Sequence, residues 1–271
     1  MATKYVGPIR RRNYGKGHGY VDANGEKMPG VTTILGDGLP KAALVNWAGK
    51  ATASYALDHW DELGDMPPSV RLKKLEGARY EDRDAAGKRG TEVHTLGEKL
   101  VKGEEVQVPD ELRGHIDAYI EFLDAFQVSP VLVEFVIASY RYGYAGTSDL
   151  IADLWDPEEE RFVRWLLDLK TTRSGIFGET ALQLAGYRYA DVYIDADGNE
   201  QPMIEVERTG AVHIRADGYD LIPTISEEAQ LTTFRYVQQI KKFSDESRSL
   251  IAPPLTPPDR RGSIGRIVYD N

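Results

Sequence analysis

Gly146-Thr147-Ser148-Asp149-Leu150-Ile151 and Leu167-Asp168-Leu169-Lys170-Thr171-Thr172 lie on either side of the acidic turn Asp156-Pro157-Glu158-Glu159-Glu160. Runs rich in Leu, Ile, Val and Trp around a short turn cluster read as an antiparallel β-hairpin. Folded symmetrically about Glu158 and Glu159, the hairpin sets Asp149 opposite Asp168. Side chains alternate along a strand, so Asp168 and Lys170 share one face and Leu169 takes the other. Two carboxylates and one ammonium then meet on one patch. Like charges across a ladder repel, and a divalent cation is the natural counterweight. Carboxylate and backbone oxygens are the ligands Mg²⁺ or Mn²⁺ prefers.

Outward from this hairpin the pattern changes in both directions. Residues 131–140, 146–154 and 162–169 read as three strands, 179–193 as a helix and 210–215 as a fourth strand. Ser226 with Glu227-Glu228 opens a last helix ending near residue 243. Upstream, helices are expected at 86–101 and 110–126. Pro40 can open an earlier one, in which Leu44, Trp47, Ala48, Ala51 and Tyr55 recur at helical spacing, and Pro67-Pro68 breaks it with Ser69 as a cap for the next. Residues 31–35 resemble a brief strand or a helix entry. Residues 1–30, rich in Gly, Arg and Tyr, suggest a short hairpin or arm. Paired prolines at 253–254 and 257–258 suggest an extended tail. The core order is helix, three strands, helix, strand, an α/β layered domain. The corresponding division is an N-terminal arm and helical portion over 1–85, a core over 86–245 and a tail over 246–271, within one compact domain.

Composition narrows the chemistry. The chain has 271 residues, 41% hydrophobic and 28% charged, an ordinary balance for a globular protein. No apolar run reaches spanning length and no charged-then-apolar leader opens the chain, which points to the cytoplasm and away from the membrane. With no cysteine, disulfides, thiolate zinc sites, iron–sulfur clusters and cysteine nucleophiles are excluded. Any metal must therefore use oxygen or imidazole ligands. The net charge of −10 argues against holding nucleic acid by bulk charge but leaves room for a local basic groove. Basic residues cluster at Arg10-Arg11-Arg12 with Lys16, Arg71 with Lys73-Lys74, Lys88-Arg89, Lys241-Lys242, and Arg260-Arg261 with Arg266.

The hairpin with Asp149, then Asp168-Leu169-Lys170, set between two helices, resembles the PD-(D/E)XK nuclease superfamily. The leading Pro of that family is replaced by Gly146-Thr147-Ser148, the Gly-[Thr/Ser]-x-Asp form of its RecB-like and phage exonuclease branch. Gly90-Thr91-Glu92-Val93-His94 is similar to the branch's Gly-Thr-x-x-His helix motif, and Gln183 with Tyr187 to its Gln-x-x-x-Tyr motif. Residues four apart share a helix face, so both can point at one site. Residues 31–35 with Leu44 and Trp47 look like the entry segment of phage-encoded members. The resemblance covers most of residues 31–193.

That resemblance implies an αβββαβ core with a central mixed sheet flanked by helices, plus an N-terminal helical portion. It implies a metal-dependent deoxyribonuclease, an exonuclease of phage-type recombination, repair or end processing. An endonuclease and a non-catalytic DNA-binding scaffold on the same fold are the alternatives. One or two Mg²⁺ or Mn²⁺ ions would be held by His94, Asp149, Asp168 and the Leu169 carbonyl. Lys170 would stabilise charge developing on the phosphate, and Gln183 and Tyr187 would contact the phosphate or terminal nucleotide. The iron–sulfur cluster of some relatives is absent here. Lys88, Arg89 and Arg173 are the DNA-contact candidates nearest these motifs. Glu134 could add a carboxylate or pair with a buried base. Glu98, one turn after His94, could orient the imidazole. His59, His115 and His213 receive no role. A glycosidase-like use of paired carboxylates is the competing chemistry.

Overall fold

The computed structural model of the chain describes residues 5–15 and 17–255. Lys16, Pro257-Pro258 and the Arg260-Arg261-Arg266 cluster therefore lie outside the described residues. A small antiparallel sheet comes first, β1 (Arg10–Tyr14), β2 (Gly17–Val21) and β3 (Lys27–Met28). Helices α1 (Val31–Gly38), α2 (Ala42–Asp58), α3 (Trp60–Gly64), α4 (Pro68–Val101) and α5 (Arg113–Ala125) follow. Strands β4 (Ser129–Ser139), β5 (Tyr144–Asp156) and β6 (Arg161–Lys170) form an antiparallel meander. Then come α6 (Glu179–Arg188), β7 (Val192–Ile194), β8 (Glu200–Pro202), β9 (Arg208–Arg215), β10 (Gly218–Thr224) and α7 (Glu228–Glu246). The large sheet has seven strands in the order β10-β9-β6-β5-β4-β7-β8, with β6 and β9 parallel. The fold is thus mixed α/β.

The hairpin pairs as its sequence symmetry requires. Leu150 faces Leu167 and Asp156 faces Arg161, so one further step of the same register sets Asp149 against Asp168. On the other side of β5, Leu150 faces Val133 and Ser148 faces Phe135, which leaves Glu134 opposite Asp149. Three carboxylates therefore occupy one row across β4, β5 and β6. Regular pairing gives way in this row. Glu134 has φ of 49°, a left-handed conformation that costs a non-glycine residue about 1–2 kcal/mol. Such strain persists only where the surroundings fix it, and it concentrates at functional sites.

Each sheet face has its own apolar layer. Ile137, Ile151 and Leu166 pack with Leu184 of α6 and Phe234 of α7. Leu150, Leu154 and Leu167 pack with Phe122 of α5 and Val212 of β9. Leu166 and Leu167 thus face opposite ways, and alternation sends Asp168 to the α6 side and Leu169 to the α5 side; Leu169 does belong to the α5 layer.

The helices differ from expectation in extent. A separate helix over 86–101 is replaced by one helix that starts at Pro68, which occupies its first turn. Ser69 is not the cap, because Pro67 holds that position and no side-chain cap bond forms. The reason is the absence of proline between 69 and 108, while the glycines at 77, 87, 90 and 97 weaken a helix without ending it. A boundary at residue 85 would cut this helix. Two of its glycines permit close approach. A Cβ on Gly97 would stand 3.1 Å from the Tyr119 ring, and one on Gly90 would stand 3.2 Å from Thr171 Oγ1. The helix can therefore lie against the end of β6, which brings His94 to the carboxylate row. Residues 31–35 open a helix. The next begins at Ala42, past Pro40, and α6 stops at Arg188 because the chain turns into β7. The described part of the N-terminal arm is the sheet β1–β3.

Candidate active site

His94 comes from α4, Glu134 from β4 and Asp149 from β5. The Nδ1 of His94 is 3.7 Å from Asp149 Oδ2 and 3.9 Å from Glu134 Oε1. One ligand-type atom from each of the three lies within 4.8 Å of the others. They border a cavity of about 20 Å³, also lined by Glu98, Tyr119 and Leu169, room for roughly one water-sized guest. The Leu169 backbone N–H donates to Asp149 Oδ2 at 2.7 Å, fixing that carboxylate at the end of the ladder.

The electrostatics of this group are unbalanced. Burial and the nearby Asp168 charge push the Asp149 carboxyl up to about 7, against the lowering effects of His94 and the Leu169 N–H. Burial disfavours the His94 cation, but the Glu134 carboxylate 3.9 Å away and the charges of Asp149 and Asp168 outweigh it and raise the imidazole to about 9. Negative charge exceeds positive charge here, and protons make up the difference.

Asp168 sits differently. It is buried on the α6 side, where its Oδ1 accepts from Gln183 Nε2 at 2.6 Å. Its Oδ2 lies 2.6 Å from Lys170 Nζ, off the direction of a hydrogen bond. Lys170 Nζ donates to Gln183 Oε1 at 3.2 Å, and Gln183 Nε2 also reaches Tyr187 Oη at 3.2 Å. Burial opposes the Lys170 charge, but Asp168 and then Asp149 outweigh it and raise its pKa. Burial, with the Asp168 and Asp149 charges, holds the Tyr187 phenol well above its usual range.

The sequence-derived residues thus divide into two groups. His94 and Asp149 come together as the motif suggests. Asp168 is not in the cluster of ligand-type atoms: Gln183 donates to one of its oxygens and Lys170 pairs with the other, although its charge still acts on His94 and Asp149. Leu169 meets the cluster through its N–H. Glu134, for which the sequence left two roles open, takes the third position, brought inward by its left-handed backbone. Gln183 and Tyr187 share the face of α6 that meets Asp168 and Lys170.

Tyr119 is a wall residue that sequence reading missed. Burial and the Asp149 and Glu134 charges raise its pKa, yet in sequence it is one more apolar position of an amphipathic helix. Glu98 lines the cavity and pairs with Lys102 at 2.6 Å. Of the basic candidates, Lys88 is exposed and lies 3.7 Å from Glu92 one turn away. The charges of Arg89 and Arg173 both act on His115, whose pKa is lowered by burial and then by these two cations. His213 accepts a structural role, its Nε2 standing 2.7 Å from the Thr172 carbonyl, so it steadies the loop after β6.

No helix among the described residues is long and apolar enough to cross a membrane. Compared with known proteins, the chain matches no family model, and no curated protein is similar to it.

Proposed function

We propose that the chain is a metal-dependent deoxyribonuclease that hydrolyses phosphodiester bonds at the Glu134–Asp149–Asp168 row. The observation that carries this reading is the division of the row: one end is a half-buried cluster of His94, Glu134 and Asp149 with surplus negative charge, and the other is an ion-paired lysine on the adjoining strand. The donor set, one imidazole and two carboxylates around a water-sized cavity, fits a divalent cation such as Mg²⁺ or Mn²⁺. His94, Glu134 and Asp149 would hold it. When bound, it supplies Lewis acidity, making an attacking water more acidic and drawing charge from a phosphoryl oxygen.

The protein's own groups do the rest. Lys170 stays protonated beside Asp168 and presents its ammonium to negative charge developing on the phosphate. Asp168 and Gln183 fix where that ammonium stands. Tyr187, a neutral phenol, is buried and keeps the Gln183 amide oriented rather than meeting the substrate itself. Arg89 and Arg173 offer a local basic corner to an otherwise acidic chain. An exonuclease of phage-type recombination, repair or end processing is the finer reading, and it rests on the motif resemblance.

The test is degradation of end-labelled linear DNA beside closed circular DNA, with Mg²⁺ or Mn²⁺ and with EDTA. Metal-dependent loss of the linear substrate alone supports an exonuclease. Loss of both supports an endonuclease. Intact DNA under all metal conditions removes the hydrolytic reading and leaves a DNA-binding scaffold.

A further inference from the structure

The small sheet β1–β3 has one face that leads to the carboxylate row. In the β1–β2 register Arg11 faces Tyr20 and Asn13 faces His18, and paired residues share a face. That face therefore carries Arg11, Asn13, His18 and Tyr20. Arg10, paired with Val21, and Arg12, paired with Gly19, lie on the other face. Tyr20 is 5% exposed and its hydroxyl is 2.9 Å from Thr147 Oγ1. Thr147 is two residues before Asp149 on β5.

The hydrogen bonds form a directed row. An arginine can only donate, so the long 3.5 Å contact from Arg11 Nη2 makes His18 Nδ1 an acceptor. His18 is then neutral, with its proton on Nε2, which donates to Tyr20 Oη at 3.2 Å. The Tyr20 hydroxyl then donates to Thr147. Burial, followed by the Arg11 charge, keeps the His18 pKa below its usual value. The Glu134 charge reaches both His18 and Tyr20, so this polar row adjoins the Glu134 end of the carboxylate row.

We propose that the Arg11–Asn13–His18–Tyr20 face is a track for a single DNA strand running from the carboxylate row, with Arg11 its phosphate contact and Tyr20 a positioning residue. The inference rests on the nuclease reading, since it is the phosphodiester substrate that calls for a cationic contact beyond an acidic site. Arg11 is exposed, and beyond its long contact to His18 its guanidinium can meet a phosphate. Its immediate neighbours in sequence provide a control of equal charge on the opposite face.

The experiment compares Arg11→Gln with Arg12→Gln. Affinity for a fluorescein-labelled single-stranded DNA is measured by anisotropy in Ca²⁺ across a salt series, and hydrolysis is measured in Mg²⁺. The track predicts that Arg11→Gln weakens binding about three- to tenfold and flattens the salt slope by about one unit. It predicts a higher KM, little change in kcat, and an Mn²⁺-induced melting shift equal to wild type. Arg12→Gln changes affinity less than about twofold. Tyr20→Phe breaks the row and moves KM in the same direction as Arg11→Gln. Equal losses in the two arginine variants, or none in Arg11→Gln, overturn the track. A wild type that binds DNA through Arg11 but cleaves nothing overturns the nuclease reading while the track stands.

Discussion

Asp149 and Asp168 face each other in one ladder, yet they occupy opposite electrostatic situations. Asp168 is held by a lysine and a glutamine amide. Asp149 is left with a histidine, a second carboxylate and a single backbone N–H. The lesson is that register sets which residues meet, while the elements packed around each strand set what each one meets. Asp168 is engaged by Lys170 of its own strand and Gln183 of α6, whereas Asp149 stands beside His94 of α4 and Glu134 of β4. One end of the row is already neutralised, and the other remains short of positive charge.

The largest expected effect breaks both ends at once. Asp149→Ala, Asp168→Ala and Lys170→Ala should each lower DNA hydrolysis by at least about a hundredfold, since Lys170 would stabilise charge on the reacting phosphate, Asp168 would hold Lys170 in place and Asp149 would hold the metal. A purified variant that keeps a tenth of wild-type turnover removes its residue from the site.

Stability without metal should separate the two aspartates. Asp149→Asn relieves repulsion from Glu134 and Asp168, so its melting temperature should hold or rise. Asp168→Ala leaves a largely buried ammonium and an amide without their partner, costing about 1–3 kcal/mol. For a chain of this size that is a drop of roughly 2–4 °C per kcal/mol. Equal melting temperatures in the two variants contradict the division.

Acidity should report the same imbalance. The folded pKa values of both His94 and Asp149 are raised, so the native state binds more protons than the unfolded chain. Stability must then fall as pH rises. The His94 contribution is present below its ordinary value near 6.5 and is lost as pH passes about 9. The charged form of Asp149 becomes a penalty as pH rises from its ordinary value toward about 7. Thermal melts of metal-free protein from pH 6 to 9.5 should decline, and His94→Ala should flatten the upper part of that decline.

The smallest effect concerns the basic corner. Lys88 is drawn to Glu92, whereas the charges of Arg89 and Arg173 both act on His115. Arg89→Ala with Arg173→Ala should flatten the salt dependence of DNA binding by up to about two units, and Lys88→Ala by less than one. An equal change from Lys88 alone would place the DNA along the outer face of α4.

Much of this arrangement was legible in residues 146–172. A turn of uninterrupted acidic and proline residues between two apolar runs pins the hairpin register, and the register pins Asp149 against Asp168. The His94 motif and the Gln183–Tyr187 spacing could be read because helix geometry is regular. Glu134 could be placed on its strand but not in its role, since a left-handed φ leaves no trace in a run such as Val131-Leu132-Val133-Glu134-Phe135. The length of α4 was hidden because glycines at 77, 87, 90 and 97 look like interruptions. Their value depends on Tyr119 and Thr171, which approach only in the folded chain. The short strands β7, β8 and β10 depend on pairing with neighbours, and their local sequence carries little periodicity.

The most direct measurement is calorimetric titration of Mn²⁺ into wild type, Glu134→Gln, Asp149→Asn and Asp168→Asn. The account predicts one saturable site in wild type, with protons released on binding because His94 must give up its proton to ligate. It predicts affinity at least about tenfold weaker in Glu134→Gln and Asp149→Asn, and a smaller change in Asp168→Asn. Loss of binding in Asp168→Asn with Glu134→Gln unaffected would contradict it, and would return the metal to the Asp149–Asp168 pair.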